Sequence, residues 1–361
     1  MNAPEIVVAF FSVLMLLPTI ASISTLDNWW VRAFDFPRLQ ISVLILAALI
    51  FSVIFYSFEN FWHYILSVLL VLSFFYQAVK IFPYTFLARR QVIKYRGSDK
   101  KCHVSILVSN VLMTNRNYER LLDLVKEQNP DLLLTLETDQ EWEKALSVLE
   151  QEYPYTVKVP KSNLYGMHLY SKMELKDIKV KYLISDEIPS IHGKLKLNDS
   201  GEIRIHCLHP KPPSPTEDDS STNRDAELLL VGHEVKKSNH STLVFGDLND
   251  VAWSRTTRLF QKLSGLLDPR IGRGFYNTFH TGYPVFRWPL DHVFHTDDFS
   301  LVSLKRLKSI GSDHFPIYIK LNHRPHGKNI EERPEEADEE EKEWSEEKIE
   351  KGHPRDRDID A

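Results

Sequence analysis

A carboxylate and a carboxamide lie two residues apart at the end of a short apolar run. Residues 242–245 are typical of a buried β-strand. They are followed by Gly246, Asp247 and Asn249. Glycine lets the backbone turn sharply, so Asp247 can stand in a cleft instead of on a sheet face. The two polar side chains could then hold a water molecule beside a phosphate oxygen. Taken alone, the stretch also fits a strand followed by an ordinary Asx turn.

Other predicted strands also carry, at one end, a polar side chain that could take part in chemistry. These residues are Asn110, Glu137, His209, Asp291, Asp313 and His314. Each has an ordinary explanation alone, since Glu137 could cap a helix and His209 could be a buried core histidine. If the strand ends converge, the cleft holds three or four carboxylates and two imidazoles.

A cleft with several carboxylates predicts a bound cation. Neighbouring carboxylates cannot all stay ionised without a counter-charge, so a divalent metal ion is implied. Its ligands would be oxygen atoms, with few histidines and no thiolates. This set favours Mg²⁺ or Mn²⁺ over Zn²⁺. The two cysteines, Cys102 and Cys207, lack metal-ligand spacing and are expected to be ordinary thiols.

The elements that must position these residues alternate between β-rich runs and helices over residues 102–322, the predicted catalytic domain. The pattern predicts helices at 117–128, 139–151 and 223–237. Strands are predicted at 104–109, 131–136, 166–171, 179–184, 193–197, 203–208, 242–245, 290–294, 299–307 and 315–321. This mixture predicts an α/β (α+β) domain with sheets in the middle and helices outside.

The first 80 residues differ from the rest, because they contain three long apolar runs. The runs cover 6–24, 39–58 and 61–79, and each is close to the ~20 residues that a helix needs to cross a bilayer. The first run is too long for a cleaved signal peptide and lacks a basic start. Residues 1–80 are therefore predicted to be a region of three transmembrane helices.

The distribution of basic residues predicts the orientation of the chain. Seven basic residues lie between Lys80 and Lys101, inclusive. The first loop carries Arg32 and Arg38, and the second loop has no basic residue. The positive-inside rule then predicts a multi-pass protein of the cell membrane with a cytoplasmic catalytic domain. The basic linker, residues 81–101, would lie near anionic lipid head groups of the bilayer.

The net charge is −5, and the negative charge is concentrated in the tail, residues 323–361. The low hydrophobicity and high charge of this tail predict a disordered segment. The remainder of the chain is mildly basic, which suits an anionic substrate. No obligate protein partner is indicated.

The ordered motifs resemble those of the endonuclease/exonuclease/phosphatase superfamily, whose fold is deoxyribonuclease I-like. The resemblance is carried by Asn110, 130–137, His209, 246–249, 290–292 and 311–316. The sequence is most similar to bacterial membrane-attached members, which share Trp253 and Ser254, the Gly-Arg-Gly at 272–274 and Thr278. The resemblance implies a four-layer sandwich of two β-sheets flanked by helices, here preceded by the three transmembrane helices.

The resemblance also implies a metal site. Glu137 would bind Mg²⁺ or Mn²⁺ directly, with Asn110 and Asp313 close by. The metal would neutralise charge on a phosphate oxygen and on the leaving oxyanion.

The remaining residues would have catalytic roles by the same resemblance. Asp247, oriented by Asn249, would hold the attacking water. Asp291 would fix the ring of His314, which would contact the phosphate or take the proton of the water. His209 would protonate the leaving oxygen. Either Asp247 or His314 could be the general base, because interacting groups titrate together and their pKa values belong to the pair.

Several positions depart from the pattern of the family. Ser109 stands where many members have an aromatic residue, and Leu112 stands where the apurinic endonucleases have a second acid. His168 and Tyr170 stand where close relatives usually have small or aliphatic residues. His168 would be either an extra contact to the substrate or a strand histidine that faces outward.

The sequence therefore predicts a membrane-anchored, divalent-metal-dependent phosphoesterase. It would hydrolyse a phosphodiester by in-line attack of an activated water and would be most similar to a nuclease. A phospholipid or inositol-phosphate phosphoesterase is the first alternative, because the fold serves many substrates and membrane attachment puts lipids within reach. A catalytically silent membrane-bound scaffold is the second, although such a protein would not need the complete set of acids and histidines.

Overall fold

The chain divides into two compact units in a computed structural model. The structure describes residues 2–98, 102–197, 201–238, 240–325, 327, 330–331, 334–357 and 359. One unit, the helical unit, comprises Met1–Ala88 and Pro213–Ser221. The other, the catalytic unit, comprises Arg89–Pro212 and Thr222–Ala361.

The described part of the helical unit contains three long α-helices and one short α-helix. These are α1 (Ala3–Ile23), α2 (Trp29–Arg32), α3 (Arg38–Phe55) and α4 (Phe61–Ile81). Helices α1, α3 and α4 pack through apolar side chains that include Met15, Ile45 and Leu70. Their outer faces expose large apolar side chains, as at Phe10 and Val53, which are 71% and 73% exposed. Such surfaces are typical of contact with lipid.

Three helices in the described residues are long and apolar enough to cross a membrane, namely α1, α3 and Phe61–Tyr84. The prediction of three long apolar helices is therefore confirmed. Side-chain hydrogen bonds define where two of these helices begin. Asn2 and Glu5 form a capping box at the start of α1, and the Asn60 side chain caps α4 by accepting from the Trp62 amide at 3.0 Å.

A buried polar network joins the three long helices near the first loop. Arg32 and Arg38 both pair with Asp35. The Arg38 guanidinium donates to the Gln77 Oε1 at 2.8 Å, and the Gln77 amide donates to the Thr19 hydroxyl at 3.0 Å. Asp35 thus pairs with both arginines inside the helical unit.

The helical unit also contains a segment from far along the chain, Pro213–Ser221, which we call the docking segment. Two backbone hydrogen bonds hold it. The Trp29 amide donates to the Asp219 carbonyl at 2.9 Å, and the Ser221 amide donates to the Asp27 carbonyl at 2.8 Å. The docking segment interrupts the chain of the catalytic unit.

The described part of the catalytic unit contains two mixed β-sheets. The strands of the first are β1 (His103–Asn110), β2 (Leu132–Leu136), β3 (Tyr155–Val159), β4 (Met167–Ser171), β10 (Phe299–Arg306) and β11 (Ile317–His323), in the order β10-β11-β1-β2-β4-β3. Those of the second are β5 (Leu175–Lys181), β6 (Ser190–Leu197), β7 (Gly201–Leu208), β8 (Thr242–Asp247) and β9 (Asp291–His295), in chain order.

Helices cover the outer faces of the two sheets. They are α5 (Tyr118–Gln128), α6 (Gln140–Leu146), α7 (Thr222–Lys237), α8 (Arg255–Ser264) and α9 (Glu339–Lys351). Helices α5 and α6 share an apolar cluster with one face of the first sheet, and α7, α8 and α9 share another with the second sheet.

Strand periodicity explains this layering. Along β1, Val104, Ile106 and Val108 point into the core between the sheets, whereas Leu107 points to the α5 side. The second sheet contributes its own inward residues, such as Phe245, to the same core. The predicted four-layer sandwich of two sheets flanked by helices is confirmed.

Part of the predicted linker is fixed to the catalytic unit, and we call residues 89–97 the strap. Val92 is fully buried between the sheets, and the Gln91 Oε1 accepts a backbone amide at 2.6 Å. The Leu301 amide donates to the Ile93 carbonyl at 2.9 Å, beside the backbone of β10. The strap therefore protects the edge strand of the first sheet. Its apolar run is too short to be visible in the sequence.

The acidic tail contains a packed helix, so the prediction of a disordered segment over 323–361 was wrong for its described helical part. Helix α9 begins with a capping box of Asp338 and Glu341, and its Ile349 is buried in the cluster on α7 and α8. Lys262 of α8 donates to Glu341 at 2.9 Å. A few apolar residues at helical spacing are enough to hold α9 in place, because α7 presents an apolar face to it. Predicted tail residues outside the described ranges are 326, 328–329, 332–333, 358 and 360–361.

Helix α7, covered by α9, buries a carboxyl group whose ionisation should affect stability. Burial raises the pKa of Glu227 to about 8, and its Oε1 has no hydrogen-bond partner among the described residues. The folded state keeps a proton that the unfolded chain loses near pH 4.5. The contribution of protonated Glu227 to the free energy of unfolding is therefore fully present below pH 4.5 and is lost as the pH rises towards 8.

We expect Glu227→Gln to stabilise the full chain at about pH 8 by roughly 1–3 kcal/mol and to have a much smaller effect at about pH 5. The amide cannot ionise, so its burial carries no cost that grows with pH. Thermal unfolding in detergent at the two pH values measures the difference. Glu119→Gln, at an exposed position of α5, is the matched control. Equal effects of Glu227→Gln at both pH values would contradict the assignment.

Candidate active site

The strand order brings the predicted site residues together at one end of the strands in each sheet. Strands β1 and β2 are parallel, with Asn110 paired to Leu136, so Asn110 and Glu137 leave their strands side by side. Strands β7 and β8 are also parallel, and β9 pairs Asp291 with Asp247. The ends of β1 and β2 in the first sheet, and of β7, β8 and β9 in the second, therefore supply the polar side chains of one cleft.

Gly246 makes the turn that directs Asp247 towards this cleft. Its φ is +146°, and a Cβ atom there would lie 1.9 Å from the Leu208 carbonyl oxygen. Any side chain would therefore clash with the backbone of β7. The turn continues to Asn249, whose Nδ2 donates to the Pro210 carbonyl at 2.9 Å. This geometry explains why a glycine precedes the acid.

Asp247 lies at the centre of the site and connects the two sheets. Its Oδ1 accepts from the Asn249 backbone N–H at 2.9 Å, and its Oδ2 accepts from the Asn110 Nδ2 at 3.1 Å. The same Oδ2 lies 3.5 Å from the His314 Nε2 and 3.9 Å from the His209 Nε2. Several of the predicted residues thus surround one carboxylate.

Asp291 and His314 form a buried pair, with 2.8 Å between the Asp291 Oδ2 and the His314 Nδ1. Burial alone would lower the pKa of His314, but the carboxylates of Asp247 and Asp291 raise it to about 10. Burial raises the pKa of Asp291, although the charge of His314 opposes this shift. At neutral pH the ring of His314 is therefore an imidazolium close to Asp247.

Glu137 and Asn110 form the other side of the cleft. The Glu137 Oε1 accepts from the Asn110 Nδ2 at 2.8 Å, while Oε2 is buried without a hydrogen-bond partner in the described parts of the chain. Burial raises the pKa of Glu137 to about 7, and the negative charges of Asp313 and Asp247 contribute. A buried carboxylate oxygen with acidic neighbours and no donor is a suitable ligand for a cation.

One group of side chains within the described residues has the spacing of a metal site. Ligand atoms of Asp247, Asp291 and His314 lie within 4.8 Å of one another. A protonated histidine cannot be a ligand, however. This cluster could therefore bind a metal only after His314 loses its proton.

The metal-binding residues predicted from the sequence are only partly brought together. Asn110 and Glu137 are in contact, and Asp313 acts on Glu137 through its charge. The Glu137 Oε2 could bind a cation without the loss of an existing hydrogen bond. These residues consequently fit a hard divalent cation better than the cluster around His314 does.

His209 is buried beside Asp247 in a neutral form. Burial lowers its pKa to about 4, despite the opposing effect of the Asp247 charge. Its ring lies 5.4 Å from that of Tyr165, and its Nδ1 has no hydrogen-bond partner within the described ranges. A neutral imidazole can donate a hydrogen bond to a leaving oxygen, but it does not carry an extra proton at neutral pH.

His168 is neither exposed nor part of the cleft. Its side chain is fully buried on the same face of β4 as Tyr170, which belongs to the cluster under α5 and α6. Burial lowers its pKa to about 4. Strand alternation places it on the helix side of the sheet. The structure therefore places His168 on the outer face of the first sheet, covered and away from the cleft, so it does not support a contact to the substrate.

Two buried arginines that were not predicted from the sequence support the site. Arg224 donates to the Asn249 carbonyl at 3.0 Å. Arg270 pairs with Asp268 at 2.7 Å and contacts the ring of His292 at 2.6 Å. No sequence signal links Arg224 to a backbone carbonyl 25 residues away. The short spacing between Asp268 and Arg270 could have suggested a local pair.

Thr278 positions the first residue of β9. Its Oγ1 accepts the backbone N–H groups of Leu290 and Asp291, each at 3.2 Å. The threonine noted in the sequence thus helps to fix the carboxylate that orients His314.

Solved structures with the same fold share little sequence with this chain. One is D. rerio TDP2 complexed with single strand DNA product, with 15% identity, a TM-score of 0.51, and 62% of this chain and 100% of that chain covered. Another is the human Nocturnin catalytic domain with bound sulfate anion, with 14% identity, a TM-score of 0.51, and 67% and 99% covered. Comparison with curated proteins gives no match.

A family model described as the Endonuclease/Exonuclease/phosphatase family matches residues 107–314. This range is more than half of the chain, and it contains all the predicted site residues. The chain belongs to the endonuclease/exonuclease/phosphatase family.

Proposed function

We propose that this protein is a membrane-anchored, divalent-metal-dependent phosphoesterase that hydrolyses a phosphodiester by in-line attack of water. The family is generally hydrolytic on phosphoesters, and its members depend on a divalent metal. The observation that supports the proposal most is the environment of Asp247. Its carboxylate accepts from Asn110 and from the Asn249 amide, and the His314 imidazolium lies 3.5 Å away.

In this proposal Asp247 binds the attacking water and takes its proton, because His314 is already protonated. His314, held by Asp291, donates from Nε2 to a phosphate oxygen, whose charge grows in the transition state. His209 donates a hydrogen bond to the leaving oxygen from its neutral ring. As the water oxygen bonds to phosphorus, the bond from phosphorus to the leaving oxygen breaks, and the leaving oxyanion takes its proton from bulk water.

The metal site of the proposal consists of Glu137, with Asn110 and Asp313 beside it. Mg²⁺ or Mn²⁺ bound there supplies charge neutralisation at the phosphate and at the leaving oxyanion. Asn110 also donates to Asp247 at 3.1 Å. Because it contacts both carboxylates, it fixes the position of Glu137, which binds the metal, relative to Asp247, which binds the water.

A nucleic acid is the first candidate substrate. An aromatic path leads away from His314, since the Phe279 ring lies 4.9 Å from it and the Trp288 ring stacks on Phe279 at 6.1 Å. Aromatic faces beside a phosphoester site suit a nucleobase. The D. rerio protein, which was solved with single strand DNA product, has the same fold.

A phosphoester carried by a lipid is the second candidate. Three helices of the same chain are long and apolar enough to cross a membrane, and attachment to a membrane would put lipid phosphoesters within reach.

A substrate panel on the full chain tests the proposal. The protein is assayed with Mg²⁺ in detergent and in nanodiscs against a single-stranded oligonucleotide, phosphatidylglycerol, an inositol phosphate and bis(p-nitrophenyl) phosphate. We expect hydrolysis of at least one phosphodiester, and loss of that activity in Asp247→Asn excludes a contaminant. If no member of the panel is cleaved, the silent scaffold becomes the better explanation.

The catalytic unit is expected on the cytoplasmic side of the membrane. Seven basic residues accompany the end of the third apolar run, and moving each across a bilayer against the membrane potential is unfavourable. Green fluorescent protein, which fluoresces only inside, is fused after Ala361, and alkaline phosphatase, which is active only outside, is fused there in a second chain. We expect a bright fluorescent fusion and an inactive phosphatase. The reverse result would overturn the orientation and leave the active-site assignment intact.

A further inference from the structure

A basic cavity of about 410 Å³ lies where the chain enters the catalytic unit. Cationic side chains line it, together with the carboxylate of Glu331. The cations are Arg90, Lys94, Arg96 and Arg324. All of them are exposed, and no ion pair neutralises them in the part of the chain that the structure describes. The cavity has an excess of positive charge and the size of a small-ligand site, so it suits an anionic group such as a phosphate.

The walls of this basic cavity are fixed by the strap. Gln91 and Val92 anchor the strap in the interior, and the Tyr95 amide donates to the Leu301 carbonyl at 2.8 Å. Arg273 also bonds the Val92 carbonyl, and its pKa is lowered by burial and by the charge of Arg90 nearby. Positive charges are thus held on an ordered backbone before any ligand arrives, which reduces the entropy lost on binding.

The basic cavity is distinct from the active site. Ser300, which lines it, is near the start of β10, and Arg324 directly follows β11. Strand β1 begins at this end of the sheet, because His103 pairs with Asn322 of β11. Catalytic Asn110 is the last residue of β1. At about 3.3 Å per residue, the length of β1 separates the two sites by about 23 Å.

The residues just before the strap indicate which kind of molecule would bring an anionic group to the basic cavity. Phe86 and Leu87 are 83% and 85% exposed, and they follow a helix that is apolar enough to cross a membrane. Arg90 comes six residues after Tyr84, the end of that helix, so the covalent chain keeps them within about 22 Å. Exposed apolar residues next to basic ones are typical of segments at a lipid–water interface. There the nearest phosphate is that of a lipid head group.

We propose that the basic cavity binds the phosphate of an anionic phospholipid. Arg90 and Arg324 donate to the phosphate oxygens, and Lys94 adds a charge. The lipid is a bound ligand and not the substrate, since the cavity lacks the acids and imidazoles of the catalytic cleft. The site therefore does not depend on which phosphoester the enzyme cleaves.

Ligand-induced stabilisation of the full chain tests this site. The protein in a neutral detergent is titrated with dioctanoyl phosphatidylglycerol, dioctanoyl phosphatidylcholine or inorganic phosphate, and the unfolding midpoint is followed. We expect phosphatidylglycerol to raise the midpoint by about 2–4 °C. The other two probes should have little effect at the same concentration. The shift should become smaller at about 0.5 M salt, because the cations are exposed.

Charge-neutralising variants assign the shift to the cavity. Arg90→Gln with Arg324→Gln should weaken phosphatidylglycerol binding at least about tenfold, which corresponds to the loss of one good charge-assisted contact. The matched control is Lys236→Gln with Lys237→Gln, which removes the same charge at the exposed end of α7 and should bind like the wild type.

Three outcomes would overturn the proposal. Equal stabilisation of the wild type by inorganic phosphate would make the cavity a site for free anions. An unchanged response in the Arg90 and Arg324 variant would place the lipid elsewhere. If that variant does not fold, the variant with Lys94→Gln and Arg96→Gln is tested in its place. Binding of phosphatidylglycerol by this second variant with wild-type affinity would also reject the cavity as the lipid site.

Discussion

Asp247→Asn is expected to lower kcat by at least about 10³-fold and to change KM by less than about threefold. The substitution keeps the shape of the side chain but removes the charge and the proton acceptor. The Asn110 Nδ2, 3.1 Å from the carboxylate, would then face a side chain that is itself partly a donor. Steady-state kinetics on the substrate identified by the panel measures the effect.

Controls separate this catalytic loss from a loss of fold. Asp177→Asn changes an exposed acid of β5 in the same way and should retain the wild-type rate. His314→Ala should cost about as much as Asp247→Asn, and the double variant little more, because groups that act as a unit are not additive. Wild-type turnover in Asp247→Asn and His314→Ala, with unchanged unfolding midpoints, would show that the site has been placed wrongly.

Removal of the metal is expected to abolish activity, and Glu137→Gln to raise the Mg²⁺ concentration for half-maximal rate at least about tenfold. The amide retains the size of the carboxylate but loses the negative ligand atom that has no partner among the described residues. Chelation followed by addition of Mg²⁺ or Mn²⁺ measures the first effect, and a metal titration measures the second.

The pH dependence of metal binding gives an independent readout. Glu137, with a pKa of about 7, must lose its proton to bind a cation. Stabilisation of the chain by Mg²⁺ against thermal unfolding should therefore weaken as the pH falls below about 7 and level off above it. Full activity in chelator after removal of bound metal would reject the mechanism. A Glu137→Gln variant with unchanged metal dependence would reject only this ligand.

The elements that hold the catalytic acids were predictable because their signals are local. Strand β8 was expected at 242–245 and is found at Thr242–Asp247, where an apolar run and a single glycine define both the strand and its end. Helix α8 was not predicted, although Ser254 caps it by accepting from the Thr257 amide at 2.9 Å. Strand β3 was also missed, because an edge strand with half-exposed residues has no clear apolar pattern.

The protonation states of the site residues could not be read from the sequence. His209 and His314 are both buried histidines near Asp247, yet the pKa of the first is lowered and that of the second is raised. The pKa of His314 is raised by the nearby charge of Asp247 and by Asp291, which contacts its ring from a strand 23 residues away in the chain. No local pattern encodes such a contact. The same holds for Arg224, whose partner is a backbone carbonyl.

Helix α9 and the strap have a practical consequence for protein production. A fragment cut at 102–322 would lose Ile349 from the surface of α7 and Val92 from between the sheets. It would also remove the Ile93 carbonyl that accepts a hydrogen bond from the Leu301 amide of β10. Freshly exposed apolar faces and an open strand edge favour self-association. Soluble expression trials should therefore begin before Arg89 and retain the acidic C-terminal helix, because shorter fragments are expected to precipitate.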